Sequence, residues 1–217
     1  MFSSTILLLL LAVNLQLSYS DTTGTTALHA ELSNQPPVAT YRFGFMNAVG
    51  DIDNDGYAEV LVGNPYGIHD GITSGTLQIF RGSSTFDTNV DMTLFMEPNE
   101  ADADFGRRVS SGDLNGDGFA DIAVSAAYAN TGATDSGEVF VYFGGCTTCP
   151  NPGLFNTSAD LILQFPSPQN GGFFGRDLTI GNINGDAYDD VIVGNPFANY
   201  NGIENAGTVQ VFFGGSN

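Results

Sequence analysis

Three nine-residue stretches collect the side chains with the clearest chemistry: DIDNDGYAE at 51–59, DLNGDGFAD at 113–121 and NINGDAYDD at 182–190. Each sets an oxygen-bearing side chain at its first, third, fifth and ninth positions, and the first two carry glycine at the sixth. Alternate residues of a tight turn converge on one point, and a hard cation such as Ca²⁺ takes about six to eight oxygen ligands at ~2.3–2.6 Å. Glycine supplies the backbone freedom the turn needs, and the seventh carbonyl can face inward as a further ligand. The expected ligand sets are Asp51, Asp53, Asp55, Glu59 and the Tyr57 carbonyl; then Asp113, Asn115, Asp117, Asp121 and the Phe119 carbonyl; then Asn182, Asn184, Asp186, Asp190 and the Tyr188 carbonyl. The third loop departs most. It has neutral Asn182 first and Ala187 sixth, and a left-handed alanine there would cost roughly 1 kcal/mol against glycine. Two Ca²⁺ sites and a weaker third are therefore expected.

An EF-hand opens similarly but needs a bidentate glutamate at position 12 and a helix on either side. Position 12 is Val62, Val124 and Val193. The residues leaving the loops (EVLVG, DIAVS, DVIVG) are β-branched and apolar, and predict strands.

The elements that hold the loops recur three times. Phe-Gly opens each copy at Phe43-Gly44, Phe105-Gly106 and Phe174-Gly175. A short strand enters the loop and a second leaves it. A variable loop leads to a third strand at 75–80, 137–143 and 207–213. A fourth apolar segment lies at 92–96 and 159–165, and a similar piece, ALHAEL, at 27–32 precedes the first copy. The pattern predicts twelve strands, outer, inner, second and third in turn, with no helix. Segments as apolar as VIVG at 191–194 imply sheets covered on both faces. Radially repeated four-stranded sheets form a β-propeller.

The chain has 217 residues and a net charge of −19, from 24 acidic residues against five arginines. No nucleic acid is expected as a partner, because binding it requires clustered cations. Residues 1–20 hold no charged side chain and contain the apolar run Ile6–Val13, too short to span a bilayer but suited to a signal peptide cleaved before Asp21. A secreted, extracellular location and no membrane span in this chain are the resulting expectations. Cys146 and Cys149 are too few for a closed zinc site and predict a local disulfide. Asn156-Thr157-Ser158 is a glycosylation sequon.

Phe-Gly, an acidic Gly-Asp-x-Asn-Gly-Asp-Gly loop and an apolar strand ending near Gly-Asn-Pro resemble the FG-GAP repeat of the integrin α-subunit propeller. Similar repeats occur in glycosylphosphatidylinositol-specific phospholipase D. The resemblance covers about residues 41–215. It implies an all-β fold of propeller blades, Ca²⁺ on the lower face and partners on the opposite one. It divides the chain into a signal peptide (1–20), an N-terminal segment with one outer strand (21–40) and repeats at 41–97, 98–165 and 166–217. Gly-Ala-Pro is replaced by Gly63-Asn64-Pro65, Ser125-Ala126-Ala127 and Gly194-Asn195-Pro196. Three blades fall short of the family's seven. The chain is then a partial propeller, a fragment of a seven-bladed one, or half of a six-bladed ring that two copies complete as a dimer.

The functional reading is a calcium-binding extracellular module for adhesion or for a protein or glycan ligand, with structural metals. The alternative is the accessory propeller of a secreted, phospholipase-like hydrolase. His29 and His69 read as surface residues, and neither a Gly-x-Ser-x-Gly elbow nor a zinc-protease motif occurs. No catalytic residue is therefore assigned. Arg107, Arg108 and Arg176 follow Phe-Gly directly and are expected to pair with nearby carboxylates or to meet an anionic ligand.

Overall fold

The computed structural model describes residues 30–33, 42–149 and 152–216. The expected signal peptide, His29 and the first half of the ALHAEL strand lie outside the described residues. Ala30–Leu32, the second half, carry no strand.

All regular structure among the described residues is β, as the alternation of branched and aromatic residues dictates. The first sheet is an antiparallel meander of β1 (Met46–Gly50) and β2 (Glu59–Asn64), then β5 (Thr76–Phe80) and β6 (Met92–Leu94). The first acidic loop joins β1 to β2, whose register runs from Met46 opposite Gly63 to Gly50 opposite Glu59. The second sheet repeats the order with β7 (Phe105–Gly112), β8 (Asp121–Ala126), β9 (Glu138–Tyr142) and β10 (Leu161–Leu163). The third holds β11 (Asp177–Gly181), β12 (Asp190–Asn195) and β13 (Thr208–Phe212). The fourth apolar segment thus closes the sheet of the copy before it. One element was not expected: the variable loop after β2 folds into a small hairpin of β3 (Ile68–His69) and β4 (Ile72–Thr73).

The sheets stack face to face, with β7 packed against β1 and β2, and β11 against β7 and β8. One apolar layer joins Leu61, Leu77, Ile79 and Leu94 of the first sheet to Phe105, Val109, Ile122 and Phe140 of the second. Another joins Ala123, Val139 and Val141 to Phe174, Leu178, Val191 and Val193. The middle sheet is covered twice, so every residue of β8 and β9 is buried. In β13 the apolar pattern is similar, but half-buried residues alternate with exposed ones because no sheet among the described residues covers its far face.

Candidate metal centre

Each acidic loop is a bend between the first two strands of its sheet, and their pairing sets Gly50, Gly112 or Gly181, the residue before the loop, opposite the ninth position before any ligand acts. Within the bend the side chains hold the backbone. Asp51 accepts the N–H of Asp55 (3.1 Å) and of Gly56 (3.0 Å). Asp113 likewise accepts from Gly116 (2.7 Å) and Gly118 (3.0 Å). The fifth carboxylate accepts the seventh N–H in all three loops: Asp55 from Tyr57, Asp117 from Phe119 and Asp186 from Tyr188.

The ninth carboxylate is a buried staple. Glu59, Asp121 and Asp190 are fully buried. Each accepts the N–H of the loop's second residue, Ile52, Leu114 or Ile183, at 2.7, 2.8 and 2.9 Å. Each also accepts the N–H of a glycine beyond the third strand, Gly82, Gly144 or Gly214. Sequence reasoning missed these three glycines. A Cβ on any of them would lie under 3.0 Å from the backbone carbonyl of the loop's eighth residue, so only glycine lets the strand end approach. The available signal was a glycine following Phe80-Arg81, Phe143 and Phe213.

In the first loop Asp51, Asp53 and Glu59 each bring a carboxylate oxygen within 4.8 Å of the others. Arg81, also unforeseen, lies 3.1 Å from Asp53 Oδ2, while Asp53 Oδ1 is buried without a hydrogen-bond partner among the described residues. Burial first, then repulsion from Asp55, raises the Asp53 carboxyl above its ordinary range, with Arg81 pulling the other way. Burial also raises Glu59, and pushes Asp121 up to about 7 against the two N–H groups that favour its charged form. Such groups are costly to ionise unless a positive charge joins them. An orphaned carboxylate oxygen among converging oxygens is the donor set that a hard divalent cation fits.

The third loop differs for a legible reason. Gly56 and Gly118 are left-handed at the sixth position, with φ of 91° and 87°, but Ala187 is not left-handed. All three loops are left-handed at the fourth position, through Asn54 (φ 55°), Gly116 (φ 79°) and Gly185 (φ 78°), so the difference lies at the sixth. Asn182 accepts the Gly185 N–H and donates its amide to the Asp186 carbonyl. An amide nitrogen cannot accept as the second Asp oxygen does. The expected strain at Ala187 is therefore absent.

The loops are wired to one another. Ala120 N–H donates to the Asp51 carbonyl (2.9 Å), and Asp189 N–H to that of Asp113 (2.8 Å). Gly145 and Gly215 donate to the Ile52 and Leu114 carbonyls in the same relation.

At the opposite ends of the strands, two of these three arginines take carboxylates, and Arg107 and Arg176 both lie over rings. Arg107 pairs with Asp104 and Arg108 with Asp177. Arg176 donates to the Tyr128 hydroxyl (3.0 Å) and lies over the Tyr128, Phe173 and Phe197 rings. His69 stacks on Phe95 beside Asp70. Cys146 and Cys149 are joined as a disulfide, and Asn156 is exposed.

Stacked meanders, two of four strands and one of three, that bear their acidic bends at one end are blades of a β-propeller. Residues 43–78, 105–142 and 174–212 match the FG-GAP repeat family, and the chain belongs to it. It is 29% identical over 195 residues to bovine phosphatidylinositol-glycan-specific phospholipase D, which covers 83% of this chain and 22% of that protein. It is 33% identical over 156 residues to human integrin alpha-6, covering 70% and 12%. With integrin alpha-5 of Xenopus laevis it shares 30% over 166 residues, 72% and 15%. The chain thus spans less than a quarter of each of these relatives. No helix among the described residues is long and apolar enough to cross a membrane.

Proposed function

We propose that the chain is a calcium-stapled extracellular binding module of the adhesion type. The observation that carries this reading is the first loop, where oxygens of three carboxylates lie within 4.8 Å of one another and Asp53 Oδ1 is buried with no hydrogen-bond partner among the described residues. The ion would be held there by Asp51, Asp53, Asp55, Glu59 and the Tyr57 carbonyl. In the second loop Asp113, Asn115, Asp117, Asp121 and the Phe119 carbonyl would hold it. The third set, Asn182, Asn184, Asp186, Asp190 and the Tyr188 carbonyl, has two fewer charges than the first and would bind most weakly. The metal supplies positive charge to a self-repelling cluster and so stiffens the bend. Extracellular sites of this kind bind at about 10⁻⁴–10⁻³ M.

The role is binding rather than catalysis, and ligands would meet the loops at 64–74, 128–136 and 196–206. Secretion, and a glycan on exposed Asn156, belong to the same proposal, as does the division into repeats at 41–97, 98–165 and 166–217. The phospholipase relative favours a second reading, an accessory propeller beside a catalytic domain. Calcium titration calorimetry tests the metal proposal: saturable heat from two sites and a weaker third is expected. Absence of heat, together with a melting temperature indifferent to chelator, would overturn it.

A further inference from the structure

The first acidic loop has a neighbour that the other two lack. Its third position is Asp53, where the other loops carry neutral Asn115 and Asn184. The residue before its stapling glycine is Arg81, where the others carry Phe143 and Phe213. Charge thus enters both places in the same copy and in neither of the others. Four carboxylates among the expected ligands are offset by one guanidinium, which leaves the first loop with the charge of the second, whose ligands include three.

The geometry explains the pairing. Arg81 starts from a fixed point, since its backbone N–H donates to Asp91 Oδ2 (2.7 Å). Its Nη1 lies 3.1 Å from Asp53 Oδ2, and its Nη2 donates to the Pro152 carbonyl beyond β9 of the second sheet (2.5 Å). Gly153 closes over the pair: a Cβ there would lie 2.9 Å from Asp53 Cβ and 3.4 Å from Arg81 Nη2. Gly153 is pinned in turn, because its N–H donates to the Cys146 carbonyl (2.8 Å) while Cys146 N–H donates to that of Leu154 (3.2 Å). Asp53 therefore has Oδ2 held by the guanidinium, and Oδ1 buried without a partner among the described residues. A guanidinium does not lose its proton, so this countercharge is permanent. In metal-free protein it relieves the repulsion among Asp51, Asp53 and Asp55. The same charge, fixed beside a ligand oxygen, opposes an arriving dication.

We infer, on the metal reading of this loop, that Arg81 is the resident countercharge of the first site: it steadies the empty loop and lowers its affinity for calcium. Nitrogen-15 NMR of the full chain reads the first two loops separately through the Gly56 and Gly118 amides, each held by the first carboxylate of its own loop. Arg81→Met removes the charge and keeps the stem. In a calcium titration to about 10 mM, its Gly56 midpoint is expected to fall at least about tenfold, with the Gly118 midpoint unchanged. The fall should shrink in about 0.5 M KCl, because salt screens charge and not shape. Arg81→Gln keeps a donor for the Pro152 carbonyl, carries the same expectation, and guards against a methionine variant that does not fold. Arg81→Lys keeps the charge, and its Gly56 midpoint should stay within about threefold of the wild type. In chelator, Arg81→Met should melt below the wild type, and adding Asp53→Asn should recover much of that loss, since the stranded charge goes with it. A Gly56 midpoint in the uncharged variants equal to or above that of the wild type overturns the inference. So does a fall that salt leaves untouched, or a metal-free loss that Asp53→Asn does not lessen. A wild type whose Gly56 amide ignores calcium sinks the metal reading and this inference with it, whereas a wild-type response with indifferent variants sinks the countercharge alone.

Discussion

Replacing Asp121 by Asn tests what the ninth position does. The carboxylate is fully buried and accepts two N–H groups, from Leu114 at 2.8 Å and Gly144 at 2.9 Å. An amide keeps one accepting oxygen and turns an NH₂ toward the other donor. One charge-assisted bond worth about 1.5–3 kcal/mol is lost, and a buried N–H is orphaned at about 1–3 kcal/mol. Relief of burying a charge works the other way, and the carboxyl pushed up to about 7 shows that this burial cost is substantial. A net loss of about 2 kcal/mol in chelator follows, which in a chain of this size lowers the melting temperature by about 4–8 °C. In calcium at ten- to a hundredfold over the dissociation constant, an intact second site adds about 1.4–2.7 kcal/mol, which the variant forfeits. The deficit should widen by about 3–11 °C. Differential scanning calorimetry with and without calcium reads both numbers. A deficit that is the same in calcium and in chelator would refute the second loop as a metal site, and one under about 1 °C in both would refute the staple as well.

Without metal, Asp53, Glu59 and Asp121 hold protons more tightly folded than unfolded, so the stability these three groups contribute is fully present below the ordinary carboxylate range and is lost as pH rises, for Asp121 through about 7. Metal-free protein should melt lower at about pH 8 than at about pH 5.5, and saturating calcium should narrow or reverse that order. Gly144→Val forces a side chain against the Ala120 carbonyl and should cost about 1–3 kcal/mol or more; unchanged denaturant midpoints would contradict the close approach. Phe105→Ala should cost about 3–5 kcal/mol in the same assay, and Phe43→Ala clearly less, because only the first ring is fully enclosed. Arg108→Ala breaks a pair whose Asp177 is 82% exposed, and should change stability by less than about 1 kcal/mol.

The sequence was most readable where chemistry and period coincide. Alternating oxygens at 51–59, 113–121 and 182–190, each followed by a β-branched run, mark both the bend and the strand that leaves it, because each residue's role depends on its immediate neighbours. The fourth apolar segments were legible as strands for the same reason. Ala30–Leu32 share that apolar character without forming a strand, since pairing requires a partner edge that local pattern does not report. The small hairpin at 68–73 was hidden in a stretch too short for any period. Ala187 misled because the backbone of one loop residue depends on what the first side chain can accept, a coupling across the loop rather than a propensity. Gly82, Gly144 and Gly214 look like ordinary turn glycines in the sequence. Their purpose appears only when a neighbouring carbonyl is seen pressed against them.

Burial in the third strands shows how far sequence alone can be read. GEVFVYF at 137–143 and GTVQVFF at 207–213 are nearly the same string, yet β9 is wholly buried and β13 half exposed. The strands do not differ in propensity; they differ in whether, among the described residues, a following sheet packs against them. An FG-GAP blade therefore encodes incomplete faces whose completion belongs to its neighbour. The acidic loops follow the same rule, since the first carbonyl of one loop is satisfied by the eighth N–H of the next. The acidic loops and the sheet contacts are thus coupled through the backbone. Binding at one loop should stiffen the seam to the next, and loss of a seam should weaken the loops on either side.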